Sequence, residues 1–143
     1  MTQTDIHKLK QLLNQQEASL AMATAEGDIH LCFGRGVSDL YRLYTLMPKL
    51  LDGALVADKV VGKGAAALMI LANVKEVYAA VVSRPALRLF EESHTPVTYT
   101  HLADNIINRK GDDICPVEKL CANAATPEEC LPLITTFLQT LKC

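Results

Sequence analysis

The sequence is short of several features, and each shortage closes off a class of function. No apolar run is long enough to cross a bilayer, so no membrane-spanning role is expected. Lys and Arg number 14 against 16 Asp and Glu, a net charge of −2, which leaves no broad basic surface for nucleic acid and argues against disorder. The five cysteines are odd in number, none stands in a C-x-x-C spacing, and no histidine lies close enough in sequence to suggest a local zinc clip. That pattern argues against a disulfide framework and against a local zinc clip. There is no internal repeat, low-complexity tract or linker. The opening stretch MTQTDIHKLKQLLNQQ is polar with a helical apolar stripe, unlike a signal or transit peptide. A single cytoplasmic domain over residues 1–143 is the expectation, with half its residues hydrophobic and enough chain to bury a core unaided.

What is present reads as alternating elements. A first helix is expected from Thr4 or Asp5 as N-cap, with Ile6, Leu9, Leu12 and Leu13 on one face. ASLAMATAEGDIHLCFG reads as a hairpin turning at Gly27, its first strand apolar enough to be covered on both faces. Ser38 is the expected cap of a helix carrying Leu40, Tyr41, Tyr44 and Met47, ended or kinked by Pro48. Strands are then expected at 54–57, Val77–Val82 and Val97–Thr100, separated by helices at 63–73 and 85–93. Strands alternating with helices call for a parallel arrangement. The 63–73 helix is apolar nearly all round and must be buried, with Gly64, Ala65, Ala66 and Ala67 permitting close approach to the sheet. Two more helices begin at Cys115-Pro116 and at Thr126-Pro127, the second bent by Pro132.

Three places carry residues suited to chemistry. ADKVVGKGAAA lies at a strand-to-helix junction, where parallel sheets hold ligands and helix starts offer free N–H groups. Gly62, Lys63 and Gly64 would suit a phosphate or carboxylate there, although Ala57 and Gly64 depart from the P-loop pattern. The bland reading leaves Lys59 and Lys63 solvated. VVSRPAL forms the next such junction, where Ser83 and Pro85 are explained by capping and Arg84 and Arg88 by the surface. The third is NRKGDDICPVEKLC. Cys115 as N-cap before Pro116 would hold its sulfur against the positive end of a helix, which favours thiolate. Glu118, three residues on, stands as in a capping box or as an acid or base over the same pocket. Asn105, Asn108 and Arg109 serve either turn hydrogen bonding, with Gly111 at the bend, or recognition of a polar ligand. Cys32 and Cys121 read as core, and the histidines as structural.

The set GRGV, GALVADKVVGKGAA, VVSRPAL and INRKGDDICPVEK resembles a bacterial family known as domain of unknown function 1893, from about Ala18 onward. The resemblance implies a cytidine deaminase-like three-layer α/β/α sandwich, with a mixed sheet of about five strands and an N-terminal hairpin. It also departs from true deaminases, whose zinc needs H/C-x-E and P-C-x-x-C motifs. Here VVGKGAAAL stands in place of the first motif, and Pro85 is followed by Ala86 and Arg88-Leu89 where thiolates belong. Zinc-dependent deamination is therefore not expected, nor any metal or cofactor. The resemblance further implies that Lys63 and Ser83 line the old cleft, and that Arg35, Asp58, Lys59, Asn108, Cys115 and Glu118 are site candidates.

The function expected is binding of a small anionic or nucleotide-like ligand in a metal-free cleft, by Arg35, Lys59, Gly62, Lys63, Ser83 and Asn108. One alternative is an enzyme with Cys115 as nucleophile and Asp58 or Glu118 as acid–base partner. The other is a non-catalytic regulatory or assembly domain. The expected partner is a small molecule rather than nucleic acid or membrane, and a homodimer is implied by resemblance alone.

Overall fold

The computed structural model describes residues 5–34, 37–108 and 110–140. The helices are α1 (Ile6–Gln15), α2 (Ser38–Leu46), α3 (Pro48–Leu51), α4 (Lys63–Leu71), α5 (Arg84–Ser93), α6 (Pro116–Cys121) and α7 (Pro127–Thr140). The strands are β1 (Leu20–Ala23), β2 (Ile29–Cys32), β3 (Leu55–Val61), β4 (Glu76–Ser83) and β5 (Val97–Ala103). They form one mixed sheet in the order β2-β1-β3-β4-β5. The hairpin β1–β2 is antiparallel and turns at Gly27, whose positive φ a side chain would resist. β1 also pairs antiparallel with β3, while β3, β4 and β5 run parallel, joined by α4 and α5.

Alternation along the central strands sorts the core into two. Ala21, Ala23, Ala57 and Tyr78 face α1, meeting its Leu9 and Leu13. Leu20, Met22, Val56, Val77 and Ala79 face the other way, into the larger core fed by α2, α3, α4, α5, α6 and α7. β1 is buried on both faces, as its apolar run requires. α4 is buried from Lys63 through Met69, lying between the sheet and the two C-terminal helices.

Several expectations shift in detail. Asp5 caps α1 by accepting from the Lys8 N–H at 2.9 Å. The cap of α2 is Val37 rather than Ser38, which is already the first helical residue; Asp39 instead turns back to accept from the Gly34 N–H. Pro48 does more than end α2, because it becomes N1 of the short α3. β3 and β5 run further than expected, through Asp58-Lys59 and through His101-Leu102-Ala103, because neighbouring strands supply backbone partners irrespective of side-chain polarity. α7 continues through Pro132. Gly64 meets α6 and α7 rather than the sheet: a Cβ there would lie 2.4 Å from Val117 Cγ1 and 3.4 Å from Ile134 Cδ1.

Candidate functional site

A cavity of about 300 Å³ opens at the carboxyl end of β3. Asp58, Lys59 and Val60 of β3 line it, together with Gly62, Gly64 and Ala65 at the start of α4. Ser19, Gly34 and Val37 close one side, and Ile106, Cys115, Val117 and Glu118 the other. The loop from 104 to 115 brings its two ends to the cavity by folding back on itself: Ile107 pairs with Ile114, and the Cys115 N–H donates to the Ile106 carbonyl at 2.8 Å.

Glu118 is the best-held side chain here. It is 3% exposed, yet its carboxylate is fully engaged. Oε1 accepts from the Lys63 N–H at 2.8 Å and from the Ser83 hydroxyl at 3.1 Å, while Oε2 accepts from the Ile106 N–H at 2.6 Å. The starts of α4 and α5 thus converge on one carboxylate supplied by α6. α4 reciprocates: Lys63 Nζ donates to the Ala124 carbonyl at 2.6 Å and the Ala122 carbonyl at 3.3 Å, at the far end of α6. Anion to helix start and cation to helix end is the arrangement the helix dipole favours.

This changes the roles of three expected residues. Lys63, 8% exposed, is neither solvated nor free for a ligand. Ser83 is fully buried behind Glu118 and also caps α5 by accepting from the Ala86 N–H. Glu118 serves as an internal hydrogen-bond acceptor rather than as a free acid or base, because three donors address its oxygens. Asn108 takes the turn role: its Oδ1 accepts from the Gly111 and Asp112 N–H groups, and its Nδ2 donates to Asp112. Arg84 is on the surface, paired with Asp104 at 2.7 Å. Arg35 and Arg109 lie outside the described residues.

Asp58, Lys59, Gly62, Cys115 and Glu118 are brought together as cavity lining. Asp58 is half-buried, and burial pushes its carboxyl up to about 7 against the pull of the Val60 and Lys59 backbone N–H groups. Its Oδ1 accepts from the Val60 N–H at a long 3.3 Å. Across the sheet Asp58 stands opposite Leu20, which stands opposite Cys32. The Cys32 thiol is pushed up, mainly by burial and next by Asp39. Cys115 is the N-cap of α6, half-buried, and its side chain makes no capping bond. Cys121 and Cys130 are buried close together in the core, where the contact with Cys130 and burial both push the Cys121 thiol up. Sequence reasoning missed Ser19 and Ile106 as cavity residues, which no local pattern marks, and passed over Val37 at the end of GRGV.

The model for the family described as domain of unknown function DUF1893 matches residues 8–138. A crystal structure of a DUF1893 family protein from Thermotoga maritima matches with a TM-score of 0.83 at 25% identity, over 92% of this chain and 88% of that one. Among curated proteins, none matches. With the family model spanning nearly all of the described residues, the chain belongs to the DUF1893 family.

Proposed function

We propose that this chain is a small-molecule-binding domain built on a cytidine deaminase-like sandwich, with the cavity at the end of β3 as its site. Support for the sandwich comes from the mixed sheet with its N-terminal hairpin and from two helix starts converging on Glu118, as the starts of the corresponding helices do in deaminases. Zinc does not fit the donor set. Ala86, Arg88 and Leu89 follow the second junction, and among the described residues no three His, Cys, Asp or Glu side chains gather to hold a metal.

The observation that carries the binding reading is the cavity itself. Its volume lies at the small end of the range for ligand sites, its walls are mostly apolar, and a half-buried carboxyl opens into it. It also lies where open α/β sheets hold their ligands. The anionic ligand expected from the sequence loses its two main supports, because Lys63 is committed and Glu118 occupies the α4 start. Lys59 is the one cationic residue that remains among the described lining. The test is a fragment screen by amide NMR. Binders should shift Ala65, Ile106 and Val117 together, and Val60→Trp at the rim should weaken them at least tenfold. Shifts confined to the groove between α2 and α7, at Tyr41 and Thr135, would sink the proposal.

Cys115 supports a second reading on the same cavity. A half-exposed thiol at a helix start, lining a pocket, is positioned to act as a nucleophile. Its first test is alkylation.

A further inference from the structure

We infer that the cavity selects a small cation, a primary amine or amidine on a compact apolar body, and that Asp58 supplies the charge that holds it. This rests on the binding reading above and specifies its ligand class.

The cavity's charge balance leads there. Two carboxylate residues line it, Asp58 and Glu118, and they differ in kind. Glu118 is addressed by three donors. Asp58 accepts one long hydrogen bond from the Val60 N–H at Oδ1, with the Lys59 N–H as its other backbone neighbour, and no ion pair reaches it among the described residues. The other charged or titratable groups facing this region are Cys32 on β2, Asp39 and Arg42 on α2, Lys59 on β3 and Cys115 before α6. Arg42 is paired with Asp39 at 3.0 Å. Lys59 also lines the cavity, but it is exposed, leaves the strand on the face opposite to Asp58, and makes no ion pair with it among the described residues. An exposed carboxylate would gain little from a visiting cation. A half-buried one in a cavity lined by Val37, Val60, Ala65, Ile106 and Val117 gains more, because the low dielectric that penalises its lone charge strengthens the pair. The same apolar walls fit a hydrocarbon body, and the volume admits one of about one or two rings.

Protonation of Asp58 follows from burial, and it gives binding a directional pH dependence. Below pH 7 the incoming ammonium meets a carboxylic acid. The pair forms only when Asp58 gives its proton to the buffer, so binding releases up to one proton. Well above pH 7 the carboxylate is already ionised and proton release fades to nothing.

The test is titration calorimetry and amide NMR with benzylamine, benzyl alcohol and benzoate, three probes of similar shape and different charge. Benzylamine should bind tightest. Its affinity should rise about thirtyfold from pH 5.5 to 8, following the ionised fraction of a group near 7. At pH 6 its heat should depend on the ionisation enthalpy of the buffer. Asp58→Asn should remove the pH dependence and the preference for benzylamine while leaving benzyl alcohol bound. If benzoate or benzyl alcohol binds as well as benzylamine at pH 8, the charge assignment is overturned while the cavity reading stands. If none of the three shifts Ala65, Ile106 or Val117, the cavity reading itself fails and takes this inference with it.

Discussion

Between about pH 4 and pH 7 the folded chain holds a proton on Asp58 that the unfolded chain has already lost, because burial raises the carboxyl from 3.8 to about 7. The folded state therefore binds more protons across that window, and its stability falls as pH rises through it, levelling off above 7. Asp58→Asn should abolish that slope and stabilise the protein at pH 8 by about 2 kcal/mol, discounted because the group is only half-buried. Chemical denaturation at pH 4.5 and pH 8 would measure it; a variant with the wild-type slope would mean the proton sits elsewhere. The cysteines allow a separate prediction. Cys115 is half-exposed at a helix start, Cys32 is half-buried with its thiol pushed up, and Cys121 and Cys130 are buried. A thiol alkylator at pH 7.5 should modify Cys115 at least tenfold faster than Cys32, and a bound cavity ligand should protect it. Mass mapping after brief exposure reads both. If Cys115 reacts slowest, the nucleophile reading is lost.

The exchange between α4 and α6 is the main polar contact between elements. Removing the Glu118 carboxylate strands two backbone N–H groups and a hydroxyl in the interior, at a cost of about 3–5 kcal/mol. Glu118→Ala should therefore lower stability strongly. Glu118→Gln should lower it less, since one oxygen still accepts while the new amide faces a donor. Urea unfolding orders the variants, and equal losses would show that the charge, rather than the acceptor count, is what matters. Gly64→Ala tests the other contact between these helices. Its new Cβ collides with Val117, an overpacking worth about 1–3 kcal/mol, and adding Val117→Ala should recover at least half of it. A double mutant no better than the single would place the strain in the α4 backbone.

Across the whole molecule, what could be read from the sequence depended on whether the cause was local. Thr126-Pro127-Glu128, Ser83-Arg84-Pro85 and Cys115-Pro116 mark helix starts because caps and N1 prolines act within one turn, and all three starts stand where they were expected. Gly27 and Gly111 mark turns for the same reason, each with positive φ. The Lys63–α6 and Glu118–α4 bonds span 55 to 61 residues, and nothing near Lys63 in the sequence shows that its amine is committed. The cavity is equally non-local, since Ser19, Asp58 and Ile106 come from separate segments. Asp58 and Cys115 were legible as candidates through motif likeness; their shared pocket was not. α4 is apolar on every side, yet the residue that packs against Gly64 from outside, Ile134, lies far down the chain. At 5–20 residues per second, a ribosome would expose that helix without its outer cover for roughly 3 to 13 s. During that interval the nascent chain carries its stickiest segment bare, and a chaperone that grips short apolar helices would find its target between Lys63 and Leu71.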